Sequence, residues 1–167
     1  MQRERGFTLI ELVIVLGIIL VIAAVAIPSV IGAKIKANET SAIAAIKTIE
    51  TAQASYETTY PTLGYASSLA ELGGPDSCKP APENACLIDE VLTDGEKSGY
   101  VFTVVSNRPA RGAATSYVAA AAPVNYNRTG ARRFCATEKN LIRWDANKEG
   151  STTPPTPEEC AHFQPMR

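Results

Sequence analysis

The hydrophobic positions of this chain divide it into two parts with different patterns. Residues 7–33 are almost entirely apolar and contain one charged residue, Glu11. A helix of about 20 predominantly apolar residues crosses a bilayer, so this stretch is long enough to span a membrane. The pattern therefore predicts a membrane-spanning helix near the start of the chain, followed by a domain of ordinary composition.

After Lys34 the apolar positions recur at helical spacing on one side only. The recurring residues are Ile35, Ala42, Ile46, Ile49, Gln53, Tyr56 and Tyr60. We assign the charged residues of this stretch, including Glu39 and Glu50, to the other faces. Pro61 ends the pattern, because the residue before a proline is biased away from helix. An amphipathic helix over residues 34–60 is therefore predicted, with one stripe that packs against a domain.

The remaining residues predict a small antiparallel sheet. Residues 61–99 are rich in Gly and Pro and are interpreted as a connecting loop, with short helical stretches at 67–72 and 87–92. β-Branched, aromatic and alanine-rich runs bounded by turn residues predict strands at 100–106, 116–122, 132–137 and 141–144. The sheet over 100–145 would have three or four strands, with the amphipathic helix covering its apolar face. The predicted fold is α+β.

No regular secondary structure is predicted for the C-terminal segment. Residues 149–167 contain three closely spaced prolines, Pro154, Pro155 and Pro157. The segment 146–167 is therefore interpreted as a loop of the globular head, which as a whole spans residues 34–167.

The four cysteines favour disulfides over a metal site. Cys78, Cys86, Cys135 and Cys160 show no C-x-x-C spacing, which disfavours zinc. Two disulfides in an oxidising compartment fit better. Four cysteines allow three pairings, and we favour the bridges between sequence neighbours, 78 with 86 and 135 with 160. The second bridge would fasten the C-terminal loop to the sheet.

Charge and motifs argue against an enzyme. Lys and Arg number 16 and Asp and Glu 17, so no basic excess indicates nucleic-acid binding, and the near-neutral charge permits self-association. His162 lies near no recognisable nucleophile motif, and there is no phosphate loop. Asp145, Asn147 and Glu149 alternate like calcium ligands but lack the register of a calcium loop, and we interpret them as solvated. We predict no catalytic residue, cofactor or metal.

The N-terminal apolar segment admits three interpretations. The first is a plain signal anchor, with Arg3 and Arg5 before it and lysines after it. The second is a cleaved signal peptide, because residues 24–26 read Ala-Val-Ala, the small-residue cleavage pattern. Glu11 and the length of the apolar stretch count against this second interpretation.

The third interpretation rests on residues 6–11, which read GFTLIE. This stretch closely resembles the processing site of the type IV pilin and pseudopilin family, and Pro28 lies where helices of that family carry a proline. The resemblance implies that residues 1–6 are a leader that prepilin peptidase removes after Gly6. It implies that Phe7 becomes the methylated N-terminus, and that Glu11 is the family's signature acid.

The resemblance also implies how such a subunit assembles. A carboxylate inside a membrane helix costs about 2.5–3.5 kcal/mol, so Glu11 is expected to pair with the Phe7 amine of a neighbouring subunit. Gly17 and Pro28 are expected to loosen the helix, since proline removes a backbone hydrogen bond. The implied partners are further copies or related subunits, prepilin peptidase, an inner-membrane assembly platform and the membrane itself.

The expected function is that of a structural subunit of a type IV pilus-like filament for motility, adhesion or DNA uptake. Its N-terminus would be cytoplasmic and its head outside the inner membrane before assembly. A pseudopilin of a type II secretion system is an alternative, slightly disfavoured by the C-terminal cysteine pair. An anchored or secreted binding module that does not polymerise is an alternative of another class.

Overall fold

The computed structural model describes residues 7–75, 77–110 and 112–166, apart from the side chains of Val25, Ile27 and Pro28. Its internal contacts separate an N-terminal unit, which ends at Lys34, from a larger unit that begins at Ile35. One helix, α1 (Leu9–Thr59), contributes residues to both.

The N-terminal unit is helical, and its apolar side chains are exposed. Its part of α1 is long and apolar enough to cross a membrane. Large side chains all along it lie open, from Leu9 at 80% exposure to Val30 at 65%. In water such a surface is unfavourable by roughly 25 cal/mol for each Å² of apolar area, so this unit requires a covering of lipid or protein.

In the larger unit, α1 packs one stripe against the sheet. Ala42, Ile46, Ile49 and Tyr56 are buried there, as the helical spacing predicts. Gln53 is also buried, and it is satisfied because its side-chain amide accepts from Ala66 N (2.8 Å) and donates to Ala66 O (3.1 Å).

Two short helices lie in the predicted connecting loop. α2 (Leu69–Leu72) begins after Ser68, whose hydroxyl accepts a hydrogen bond from Glu71 N, and α3 (Glu90–Thr93) begins after Asp89, which caps Leu92 N. The inward leucines of both helices join the core that α1 and the sheet share.

The sheet has six antiparallel strands in sequential order. They are β1 (Glu96–Lys97), β2 (Tyr100–Ser106), β3 (Tyr117–Pro123), β4 (Arg133–Thr137), β5 (Arg143–Asp145) and β6 (Gln164–Pro165). The prediction of three or four strands was therefore wrong. The additional strands, β1 and β6, have two residues each, which is too short for an alternating pattern to be visible.

The alanine-rich strand β3 is covered on both faces. Ala119 and Ala121 belong to the main core beside α1, whereas Ala120 packs with Cys135, Cys160 and Phe163 on the opposite side. Successive strand residues point to opposite faces, so small side chains let elements approach from both directions. This explains why a segment of helix-forming alanines is a strand here.

The C-terminal segment is ordered, and the prediction of an irregular tail was wrong. A helix, α4 (Pro157–His162), begins with a capping box in which Thr156 and Glu159 exchange backbone and side-chain hydrogen bonds. Proline is tolerated at the first helical position because its missing N–H has no partner there. The prolines that suggested a loop therefore precede or open a helix.

Two disulfides fasten the larger unit. Cys78 is bonded to Cys86 in the segment between α2 and α3, and Cys135 of β4 is bonded to Cys160 of α4. The Cα atoms are 6.0 Å apart in each pair, within the usual range for a disulfide. The second bridge closes a separation of 25 residues and brings α4 onto the sheet.

Arg108 and Glu71 form a partly buried ion pair beside Tyr56. Arg108 donates from both terminal nitrogens to the two Glu71 oxygens at 2.9 and 2.8 Å. Ser67 donates to the same carboxylate through its amide (2.9 Å) and hydroxyl (2.6 Å). Burial acts to raise the pKa of Glu71, but the hydrogen bonds from Arg108 and Ser67 outweigh it and lower that pKa below the ordinary 4.5.

This ion pair predicts an acid-sensitive component of stability. Because the pKa of Glu71 is lower in the folded than in the unfolded chain, its contribution is present above about pH 4.5 and disappears as the pH falls through the folded pKa. Arg108→Ala should lower the free energy of unfolding at pH 7 by about 1–3 kcal/mol. It should also make the loss between pH 5 and pH 3 smaller.

Denaturant titrations of the full chain across this pH range measure both effects. Arg128→Ala, at an exposed turn, is the matched control and should keep the wild-type pH dependence. An Arg108→Ala curve parallel to the wild-type curve would contradict the role of the pair.

Candidate functional site: an exposed apolar helix with one carboxylate

The candidate site is the surface of α1 in the N-terminal unit. Phe7 is 71% exposed and precedes the helix, and the most apolar window of α1 has no buried residue. Contiguous exposed apolar surfaces of this kind mark sites of contact with lipid or with other proteins. The geometry favours a function in membrane insertion and association.

Glu11 is the only charged residue between Phe7 and Ala33, and it forms a capping box with Thr8. The amide of Glu11 donates to the Thr8 hydroxyl oxygen at 3.3 Å. The Thr8 amide and hydroxyl donate back to the Glu11 carboxylate at 3.4 and 3.1 Å. These bonds satisfy helix-terminal donors and explain why α1 begins at Leu9.

Sequence reasoning missed this role of Thr8. The signal was present, since Thr-x-x-Glu directly before an apolar run is the sequence signature of a capping box. The Thr8 donors carry no net charge, so they satisfy the oxygens of the Glu11 carboxylate without neutralising its charge, which a cation would do. Glu11 is therefore held by its own chain and still suited to a cationic partner.

The other predicted residues of this segment are placed as follows. Gly6 lies outside the described residues. Gly17 faces open space, with no heavy atom within 4 Å of the position a Cβ would take. The backbone is helical at Pro28, and α1 continues through it. Loosening of the helix at Gly17 and Pro28 remains a prediction. The four cysteines belong to the larger unit.

A second ion pair fastens α1 within the larger unit. Glu39, which the sequence assigned to a polar face, is only 4% exposed. Its carboxylate accepts from Arg132 Nε (2.9 Å) and Nη2 (2.6 Å) and from the amides of Ala131 and Arg132 (3.2 Å each). The assignment failed because the partner lies 93 residues later, where helical spacing gives no information.

The residues that resembled calcium ligands make internal bonds. Asn147 is 1% exposed, so its interpretation as solvated was wrong. Its side chain accepts from Ser151 N (2.8 Å) and donates to Ser151 O (2.9 Å), while Asp145 pairs with Arg133. Within residues 7–75, 77–110 and 112–166, no group of three His, Cys, Asp or Glu side chains could hold a metal ion.

Comparison with known proteins identifies the N-terminal segment. The family profile described as the prokaryotic N-terminal methylation motif matches residues 1–27. No solved structure matches the chain.

Three relatives match part of the chain. The type IV major pilin PilA of Myxococcus xanthus (strain DK1622) is 46% identical over 54 residues, which are 32% of this chain and 24% of the relative. The type IV wide pilus major component PilA4 of Thermus thermophilus is 52% identical over 40 residues, 24% of this chain and 30% of the relative. The type II secretion system core protein G of Klebsiella pneumoniae is 37% identical over 65 residues, 37% of this chain and 46% of the relative.

The similarity is therefore confined to one part of each protein. The chain spans between 24% and 46% of the length of these relatives. The motif and the relatives together support the type IV pilin and pseudopilin family. The relatives are named as pilins and as a secretion-system protein.

The capping box gives a test of the start of α1. Thr8→Val removes the hydroxyl that accepts from the Glu11 amide, and loss of such a cap costs about 0.5–2 kcal/mol. The Glu11 amide of the full chain in detergent micelles should therefore exchange its hydrogen faster. Thr8→Ser keeps the hydroxyl and should exchange at the wild-type rate. Equal rates in the valine and serine variants would rule out the cap.

Proposed function

We propose that this chain, whose residues 1–27 match the prokaryotic N-terminal methylation motif, is a structural subunit of a type IV pilus-like filament. The observation that carries the proposal is the exposed apolar part of α1 with its one carboxylate, most of which lies within the residues that the methylation motif matches. This surface needs lipid before assembly and neighbouring subunits afterwards. The proposed work is mechanical, in motility, adhesion or DNA uptake.

The first step is processing at the start of the chain. Residues 1–6 form a leader, prepilin peptidase cuts after Gly6, and Phe7 is methylated as the new N-terminus. The exposed position of Phe7 before α1 supports this proposal, since a modified terminus has to be accessible.

The second step is residence in the inner membrane. Residues 7–33 span the bilayer with the N-terminus in the cytoplasm, and the larger unit lies outside, where disulfides form. An inner-membrane assembly platform then collects the subunits. The pairing of the four cysteines in two bridges supports the exported position of the larger unit.

The third step is docking by charge. Cleavage gives Phe7 a free α-amine, which is protonated near neutral pH. In a low-dielectric medium an unpaired charge is heavily penalised, so Glu11 of one subunit gains a strong partner in the amine of its neighbour. The hydrogen bonds of the capping box satisfy the Glu11 carboxylate until that partner binds. Thr8 then shares the carboxylate with the amine or loses its hydrogen bonds to it.

In the filament, residues 7–33 would pack as a core of helices. Gly17 offers an open helical surface that a neighbouring helix can approach closely. Pro28 lacks a backbone N–H, so the helix can yield there when subunits pack or the fibre extends. The larger units would face outward.

A pseudopilin of a type II secretion system is the second candidate. The similarity to core protein G, which covers more of a relative than the other two similarities, favours it. The bridge between Cys135 and Cys160 in the C-terminal segment favours the pilus. Electron microscopy of producing cells separates the two, because a pilus gives surface fibres that vanish when the gene is deleted.

The processing step predicts the mass of the exported protein. We expect a mature chain that begins at Phe7 and carries one methyl group on its N-terminus, measured by intact-mass and N-terminal peptide spectrometry. A chain that begins at Ile27 would show signal-peptide cleavage instead. That result would contradict the proposed filament subunit, because the mature chain would lack the apolar helix.

The docking step predicts the effect of removing the acid. Glu11→Ala should insert into the membrane and be processed normally, while filament yield from producing cells falls at least about tenfold, because the amine of the neighbour loses its partner. Glu96→Ala, an exposed acid on β1, is the matched control and should assemble normally. Normal fibres from Glu11→Ala would refute charge pairing, and fibres lost from both variants would indicate a nonspecific effect.

A further inference from the structure

Basic side chains lie where the larger unit begins, shortly after the apolar run. Lys36, the second residue of that unit, is exposed, and so is Arg128 on the loop between β3 and β4. We propose that these two side chains form a basic surface that binds the headgroups of anionic phospholipids at the outer face of the membrane. The proposal rests on the membrane-anchored stage of the proposed function and adds the class of lipid that the protein contacts there.

A hydrogen bond joins the two elements that carry these side chains. Asn38 Nδ2 donates to the carbonyl oxygen of Thr129 at 2.8 Å, although 91 residues separate them. The loop itself is held by bonds from Asn125 N to Thr129 Oγ1 (3.0 Å) and from Asn127 N to Gly130 O (2.8 Å). The loop is therefore fixed beside α1 before any lipid binds, which lowers the entropic cost of binding.

The position of Asn38 along α1 matches the depth of lipid headgroups. Asn38 follows Ala33, the last residue of the apolar run, by five residues, which advance a helix by about 7.5 Å. The headgroup region on each side of a bilayer is about 5–8 Å thick. When residues 7–33 span the membrane, the level of α1 at which the loop is attached is therefore the level of the lipid phosphates.

The charges of the two segments leave an excess of positive charge. Residues 34–38 and 124–132 contain four basic residues and no acidic one. The carboxylate of Glu39, whose side chain is only 5% exposed, takes Arg132 as its partner at 2.6 Å. The other three cations make no ion pair with the described residues, and they are Lys34, Lys36 and Arg128. Clusters of basic residues next to a membrane-spanning helix attract anionic headgroups.

The exposure of both side chains favours a lipid over a soluble anion. Lys36 and Arg128 are open to water, so salt screens their attraction for a free phosphate, which would be held weakly. A lipid headgroup is kept at this depth by the bilayer itself, and its effective concentration beside the protein is high. An exposed basic surface can therefore select among lipids without an enclosing pocket.

Native mass spectrometry of the full chain in lipid nanodiscs tests the proposal. The bilayer contains phosphatidylglycerol and phosphatidylcholine in equal amounts, and the lipids that stay on the protein after gentle activation are counted. We expect the wild-type chain to retain phosphatidylglycerol over phosphatidylcholine by roughly threefold to tenfold. Equilibrium dialysis of the same chain, in a zwitterionic detergent, against inorganic phosphate should show no saturable binding.

Lys36→Gln and Arg128→Gln should each lower this preference about twofold to threefold, because each removes one charge. Arg128→Lys keeps the charge and should keep the preference. Lys47→Gln is the matched control, since Lys47 is an exposed lysine of the same helix. It lies about 16 Å beyond Lys36 along α1, farther than the Debye length of about 8–10 Å, and its loss should leave the preference unchanged. Thermal unfolding of the variants checks that they are folded.

Equal retention of the two lipids by the wild-type chain would overturn the proposal and leave membrane anchoring intact. An unchanged preference in both glutamine variants would also overturn it, and so would saturable binding of inorganic phosphate. Failure of the chain to enter the nanodiscs would instead contradict the membrane-anchored stage, and with it the proposed function.

Discussion

The burial of one stripe of α1 against the sheet is the interaction on which the rest of the larger unit depends. Six short antiparallel strands cannot protect an apolar face by themselves. Ile46, Ile49 and Tyr56 supply the cover, and the core they enter also receives the leucines of α2 and α3. Glu39 and Arg132 add an ion pair at the beginning of this stripe, where burial of an unpaired carboxylate would lower the stability of the fold.

The same helix has no such cover in the N-terminal unit. Its apolar side chains are exposed around the whole circumference, so a stripe on a domain of this size could not satisfy them. The two halves of α1 therefore require different surroundings, the first lipid or other helices and the second a sheet. The exposed apolar half of α1 fits membrane anchoring.

Two consecutive arginines connect the sheet to a helix on each of its two faces. The Arg132 guanidinium lies 5.6 Å from the ring centre of Phe134 and reaches Glu39 on α1. The Arg133 guanidinium lies 5.2 Å from the ring centre of Phe163 and reaches Glu159 on α4. Successive residues of an extended chain point in opposite directions, so a two-residue sequence links the sheet to both helices.

The sequence by itself determined the features that depend on neighbours in the chain. The long apolar run, the buried stripe of α1 and the four longer strands follow from local periodicity, and the methylation motif follows from six adjacent residues. The capping boxes at Thr8 and Thr156 belong to the same class, because the interacting residues are three positions apart.

The tertiary structure decided whatever depends on residues distant in sequence. The burial of Glu39 required Arg132, and the two-residue strand β6 formed because the Cys135–Cys160 bridge and Arg143 bring the C-terminal segment to the edge of β5. The loop that carries Arg128 likewise lies beside α1 only because Asn38 donates to Thr129, 91 residues later. No periodic pattern records such contacts, since their free energy comes from packing and charge pairing across the fold.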